Sequence, residues 1–159
     1  MEKRLYIENK EIELNFIDDA NCWQSNLNIG GVEIELEIDF FFHKEPEVDW
    51  EHFIGFLKYI NQNDRLKKII ADSKQLALEV GKAFFRESYQ EVSDYQMEFS
   101  NLIVYKGKTD GNFIKNGFCY SLVFNYWTKR DNGIYGDEYG IYLVEVENNF
   151  IVGARRHQC

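Results

Sequence analysis

The sequence has one proline and three cysteines in 159 residues, and none of its apolar runs is long enough to cross a membrane. So little proline argues against linkers and disorder. The cysteines, Cys22, Cys119 and Cys159, are odd in number and form no C-x-x-C motif, which favours free thiols in a reducing compartment. Because the N-terminus also lacks the apolar segment of a signal peptide, we expect a cytoplasmic protein.

Catalytic and cofactor motifs are also lacking. Gly107-Lys108-Thr109 resembles the end of a P-loop, but Leu102 stands where that motif needs its first glycine. There is no G-x-S-x-G and no H-E-x-x-H. A metal near His43 and His52 is conceivable, but surface or capping histidines explain both better. We therefore expect a non-enzymatic protein with no cofactor and no metal.

Basic residues are outnumbered, 18 against 27 acidic ones, which gives a net charge of −9. This balance disfavours nucleic acid and anionic membranes, because both attract basic surfaces. It suits a basic protein partner that is drawn in by electrostatic steering. Aromatic residues make up 16% of the chain, and such an excess often includes side chains on a binding surface.

The most regular stretch, Gly31–Phe40, alternates apolar and acidic residues. A period of two predicts a β-strand with one buried face and one wet face. Its wet face would carry an acidic row, about 7 Å between neighbours, that consists of Glu33, Glu35, Glu37 and Asp39. Three interpretations are open: a solvated face compensated by Lys or Arg on neighbouring strands, a docking surface for a basic protein, or a metal or carboxylate-dyad site.

The rest of the chain predicts one α+β domain, residues 1–159, with a mainly antiparallel sheet and two amphipathic helices. Strands are expected at Leu5–Ile7, Ile12–Phe16 and Cys22–Asn28, with a turn at Asn28–Gly31, so the first forty residues would form an antiparallel meander. Helices are expected from Asp49, as N-cap, to Asn61 and from Arg65 to Glu87, covering the apolar side of the alternating strand.

The C-terminal part returns to strand periodicity after Asp94. A parity switch near Ser100-Asn101 predicts a β-bulge, and apolar residues on both faces of Phe118–Thr128 predict a central strand covered on both sides. Further strands are expected at Gly140–Glu147 and Phe150–Ala154, joined by a tight turn at Asn148-Asn149.

A polar, glycine-containing loop is predicted between two of these strands, from Lys129 to Tyr139. Aromatic and charged residues crowd it, which is the composition of protein-binding hot spots, although tyrosines packed on a sheet edge are the simpler alternative. In the segment Trp127–Tyr142, which contains this loop, the candidate partner-binding residues, added to those of the acidic row, are Trp127, Asp131, Tyr135, Asp137, Glu138 and Tyr139.

Three short runs carry a resemblance: Phe124–Trp127, Asp137–Ile141 and Ile151–Gly153. They resemble the C-terminal end of small bacterial α+β domains that are similar to immunity proteins encoded beside polymorphic or contact-dependent toxins. The resemblance covers the last third of the chain and implies an acidic, single-domain cytoplasmic inhibitor that binds a toxin. It supplies no functional residue that can be carried over.

The leading hypothesis is therefore a binding protein that uses carboxylates and aromatic side chains to occlude the basic active site of a toxin. One alternative is a small-molecule-binding or enzymatic α+β domain with a pocket between sheet and helices. Another is a structural subunit of a homo-oligomer.

Overall fold

The computed structural model describes residues 1–8, 10–39, 48–85, 95–105, 118–130, 133–137 and 140–158. Its helices are α1 (Trp50–Ile60) and α2 (Arg65–Phe85), with a short 3₁₀ turn at Gln62–Asp64 between them. Its strands, in chain order, are β1 (Glu2–Ile7), β2 (Lys10–Ile17), β3 (Cys22–Ile29), β4 (Val32–Asp39), β5 (Tyr95–Tyr105), β6 (Cys119–Arg130), β7 (Gly133–Gly136), β8 (Gly140–Glu147) and β9 (Phe150–Gln158).

These strands form one sheet in the order β1-β2-β3-β4-β5-β6-β8-β9, and β7 pairs with the end of β6. All recorded pairs are antiparallel except β4 with β5, which run parallel. A parallel pair needs a long crossover connection, and the segment that carries α1 and α2 supplies it. The predicted α+β class with a mainly antiparallel sheet is thus confirmed.

The predicted alternation of β4 is also confirmed. Ile34, Leu36 and Ile38 are buried, whereas Glu33 and Glu35 are exposed. The turn that leads into this strand consists of Gly30 and Gly31, with φ angles of 59° and 80°. Glycine tolerates this left-handed conformation without a steric penalty, which explains why the predicted turn forms at these two residues. Phe40, predicted to end the strand, lies outside the described residues.

Helix α1 begins as predicted. The Asp49 side chain accepts a hydrogen bond of 3.0 Å from the backbone N–H of His52, which satisfies one of the free donors at the helix start. After Ile60 the chain bends through Asn63 and Asp64, whose φ angles are 53° and 54°, into α2. The described part of α2 ends at Phe85, so the predicted end at Glu87 lies outside the described residues. Neither helix in this description is long and apolar enough to cross a bilayer.

Helix α1 contacts strands on both sides of β4. The ammonium group of Lys3 on β1 lies 5.2 Å from the centre of the Trp50 ring, and the ring of Phe56 lies 5.1 Å from that of Tyr120 on β6. One core, which also includes Leu36, therefore fills the space between the sheet and the helices.

Strand β6 is central and covered on both faces near its middle. Tyr120, Leu122 and Phe124 are buried on the side of the helices, and Ser121 and Val123 are buried on the opposite side. The prediction of a central strand that is covered on both faces is thus confirmed for residues 120–124. The predicted bulge is confirmed as well, because the register of β5 against β6 shifts between its residues 99 and 101.

Two predicted boundaries in the C-terminal part were wrong. Residues 129–139 are not one irregular loop, because β6 continues to Arg130 and Gly133–Gly136 forms the short strand β7. The last strand continues to Gln158 instead of ending at Ala154. Both segments pair with a neighbour through backbone hydrogen bonds, so their polar side chains did not prevent strand formation.

Candidate functional site

The outer face of the sheet, the face directed away from the helices, is acidic over β1 to β4. Strand alternation places there every carboxylate of these strands whose side chain is described, together with a single guanidinium, that of Arg4. Six carboxylates against one guanidinium leave an excess of five negative charges. We call this surface the acidic face; its carboxylates are those of Glu2, Glu11, Glu13, Glu33, Glu35 and Glu37.

Glu33 and Glu35 of the acidic row have polar, uncharged neighbours on the adjacent strands. Glu35 lies opposite Asn26 on β3 and Asn101 on β5. Glu33 accepts a hydrogen bond from the side-chain amide of Asn28. The described strands on either side, β3 and β5, carry no Lys or Arg beside Glu33 and Glu35. Asp39 closes the strand, and only its backbone is described.

Arg4 is shared among three carboxylates at the edge of this face. Its Nε lies 2.5 Å from Glu2 and 3.5 Å from Glu11, and its Nη2 lies 3.8 Å from Glu13. The hydrogen bond to Glu2, followed by the attraction of all three carboxylates, raises the pKa of Arg4. About half of each of these side chains is exposed, so water and salt screen the pairs strongly. One guanidinium thus leaves most of the negative potential in place.

The acidic face is indented between β2 and β3. A groove of about 450 Å³ opens there towards solvent. Its polar lining consists of carboxylate and amide side chains, together with the hydroxyl of Ser25; these carboxylates and amides belong to Glu11, Glu13, Asn15, Gln24, Asn26 and Glu35. Such a lining can accept several hydrogen bonds from a cationic ligand, because carboxylate and amide oxygens are acceptors.

The second predicted surface lies around β7. Trp127, at the end of β6, is 39% exposed and belongs to the outer face, on the same side of the sheet as the acidic row. The backbone of Tyr135 pairs with Thr128, and its side chain is not described. Three of the predicted residues lie outside the described residues: Asp131, Glu138 and Tyr139.

Asp137 has a different environment from the one expected of a contact residue. Its carboxylate accepts two hydrogen bonds from Arg156, at 2.6 Å to Nε and 2.8 Å to Nη2, and a third of 3.0 Å from the hydroxyl of Tyr142. The two charged side chains are only 6% and 15% exposed. Because both carboxylate oxygens of Asp137 are bonded to Arg156 within the protein, we assign Asp137 a structural role, which is to hold the segment before β8 in place.

The pair also connects α2 to the last strand. The guanidinium of Arg156 lies 4.2 Å from the ring centre of Phe84 on α2, and the hydrogen bond to Asp137 raises the pKa of Arg156. Burial, and then the negative charge of Asp137, raises the pKa of Tyr142, so its hydroxyl stays a donor at neutral pH. No signal in the sequence indicates this pairing, because Arg155 and Arg156 are adjacent and alternation alone does not show which of them points inward.

The described residues give no support for a metal site. No three of their His, Cys, Asp or Glu side chains are grouped closely enough to hold an ion. His52 is exposed and lies 4.9 Å, ring to ring, from Phe118, while His43 is outside the described residues. Burial raises the pKa of the Cys119 thiol, which keeps it protonated and poorly nucleophilic.

Comparison of the chain with known protein families, with curated proteins and with solved structures gave no match in any of the three.

Proposed function

We propose that this protein is a cytoplasmic, non-enzymatic binding protein that neutralises a bacterial toxin by covering the toxin's basic active site with the acidic face. The observation that supports this proposal is the concentration of charge on one side of the sheet, where six described carboxylates are accompanied by a single guanidinium. The paired strands fix the backbone positions of these groups before binding, which lowers part of the entropic cost of association.

The arrangement of charge suits a cationic partner. Neighbouring carboxylates on a strand face are about 7 Å apart and repel one another in the free protein. A basic surface removes this repulsion and replaces it with attraction, and it is also steered towards the face from a distance. Glu35, whose strand neighbours are two amides, is the carboxylate best placed to gain such a partner.

Aromatic anchors stand on the same side of the sheet. Tyr6 is 68% exposed on β1, where alternation places it beside Arg4 and Glu2 on the outer face. Trp127 lies on this side at the end of β6. Tyrosine and tryptophan are enriched among residues that dominate binding energy, because they bury a large area at little entropic cost. We therefore place both at the proposed interface.

The proposal is tested by titrating the protein with the product of the adjacent gene and measuring that product's activity in the same samples. We expect a stable complex that abolishes the activity, and an affinity that falls about tenfold or more between 0.05 and 0.5 M NaCl, because screening weakens exposed charge pairs. Absence of a complex would contradict the proposal. A complex whose affinity does not change with salt would remove the acidic face from it.

A further inference from the structure

The sheet contains an opening between its first two hairpins. Strands β2 and β3 pair at only three positions, from Ile17 opposite Cys22 to Asn15 opposite Gln24. By contrast, β1 pairs with β2 at six positions and β3 with β4 at eight. Beyond Asn15 and Gln24 the two hairpins diverge towards their turns. We call this opening the wedge; it is bounded by residues 10–14 of β2 and 25–29 of β3.

Two hydrogen bonds show which backbone groups border the wedge. The Ser25 hydroxyl donates to the carbonyl oxygen of Glu13 at 2.6 Å, so this carbonyl points towards β3. The N–H of Phe16 donates to Met1 at 2.8 Å, in the opposite direction. Because strand residues alternate in direction, the N–H and C=O groups of Glu11 and Glu13 face the wedge.

The same reasoning applies to the other side. Asn15 has the parity of Glu13, so its pairing with Gln24 directs the backbone of Gln24 towards β2. Alternation then places the N–H and C=O groups of Asn26 and Asn28 along the wedge. In the described residues, both borders therefore resemble the edges of a sheet, and such edges are templates for another strand.

The wedge has depth as well as free edges. Besides the groove of about 450 Å³ on the outer face, a cavity of about 210 Å³ opens at the hairpin turns. Ile12 and Leu27 line both spaces, and Leu57 of α1 lines the inner one together with Lys10 and with Asn61, which follows the helix. An extended segment that enters here would meet polar groups on the outer side and, on the inner side, the apolar side chains of Ile12, Leu27 and Leu57 beside these polar ones.

We propose that the wedge receives an extended basic segment of a partner protein, which continues the ladder between β2 and β3. Alternate side chains of this segment would project onto the outer face beside Glu11, Glu13 and Glu35, where positive charge is favoured. The intervening side chains would point towards Ile12 and Leu27, where apolar groups are favoured. The geometry thus selects a segment that alternates basic and apolar residues, a mode of recognition known as strand addition.

This inference rests on the proposed function for the basic character of the partner, but the wedge can be tested without the partner. The probe is a capped heptapeptide in which arginine alternates with valine. Two control peptides are the same sequence with N-methylated valines, which cannot complete the ladder on one side, and a version with glutamate in place of arginine. Binding is measured by calorimetry, and backbone amides are followed by hydrogen exchange.

In the free protein we expect the amides of Glu11 and Asn26 to exchange rapidly for residues within strands, while the amide of Leu14, which points towards β1, is protected. Saturating arginine–valine peptide should slow exchange at Glu11 and Asn26 about tenfold or more and leave Leu14 unchanged. The N-methylated and glutamate peptides should bind about tenfold or more weakly. Glu13→Gln should weaken the arginine–valine peptide several-fold, and Asp72→Asn on the exposed side of α2 should not.

Several results would overturn the inference. Equal binding of the N-methylated peptide would mean attachment by charge alone. Absence of binding, or slowed exchange that does not include Glu11 and Asn26, would exclude the wedge. Protection that appears without peptide as the protein concentration rises would identify a second copy as the occupant. If the adjacent gene product binds with salt dependence but leaves these amides unprotected, strand addition fails while the proposed function stands.

Discussion

Replacement of Arg156 by methionine should lower the free energy of unfolding by about 3 kcal/mol, measured by urea denaturation. Methionine keeps much of the apolar stem but removes the guanidinium, which leaves the 6% exposed carboxylate of Asp137 without its main partner. A buried carboxylate that loses its guanidinium partner is costly, and the hydrogen bond from Tyr142 offsets only part of this cost.

The neighbouring arginine is the matched control. Arg155 pairs with Glu145 at 3.3 Å, but 59% of its side chain and 44% of its partner's are exposed. Arg155→Met should therefore cost less than about 1 kcal/mol. Adding Asp137→Asn to Arg156→Met should restore part of the lost stability, because no unpaired charge then remains. Equal losses for the two single variants would refute the structural role assigned to the buried pair.

Replacement of Phe56 by alanine should cost about 3–5 kcal/mol of unfolding free energy. Phe56 is 0% exposed, and its ring centre lies 5.6 Å from that of Phe118 and 5.1 Å from that of Tyr120. It joins α1 to β6 within the core between the helices and the sheet, so its removal opens a cavity that the surrounding side chains fill only in part. The loss is measured by thermal and urea denaturation of the same samples.

The control for this variant is Phe150→Ala. Phe150, at the start of β9, is the same residue type in a regular strand, but its side chain is 74% exposed. Its removal should change the unfolding free energy by about 0.5 kcal/mol or less. If Phe56→Ala cost no more than Phe150→Ala, α1 would not be packed into the sheet in the manner described.

The sequence predicted those elements whose signals are local. The alternation of Val32–Asp39 specified a buried and a wet face because side chains of a strand point alternately to the two sides. Asp49 could be identified as an N-cap because its short side chain reaches the next turn of the helix. Gly30 and Gly31 marked a turn because few other residues tolerate their backbone angles.

Features that depend on distant parts of the chain could not be predicted. The parallel pairing of β4 with β5 follows from the crossover through both helices, not from a pattern within either strand. The partner of Asp137 lies 19 residues away, on a strand that was predicted to end too early. The wedge could not be predicted from the sequence, because the side chains of β2 and β3 alternate between the two faces whether or not the two strands are hydrogen-bonded to each other.

The candidate site was predicted in part. Glu33 and Glu35 of the acidic row are exposed on β4 as predicted, whereas Glu37 is half-buried and the side chain of Asp39 lies outside the description. The carboxylates that join them from β1 and β2 were not considered, since only the register of the sheet places them on the same face. Of the second predicted surface, the structure shows only the Trp127 side chain on the same side of the sheet as the acidic row. Asp137 is bonded instead to Arg156 and Tyr142.

The central claim, that the acidic face holds a basic protein, is tested most directly by comparing two charge reversals in a calorimetric titration with the adjacent gene product. One variant carries Glu33→Lys and Glu35→Lys on the acidic face; the other carries Asp72→Lys and Glu79→Lys at exposed positions of α2, with the same change in net charge. We predict an affinity loss of about 100-fold or more for the first and of about threefold or less for the second. Equal losses in both variants, or none in the first, would contradict the claim.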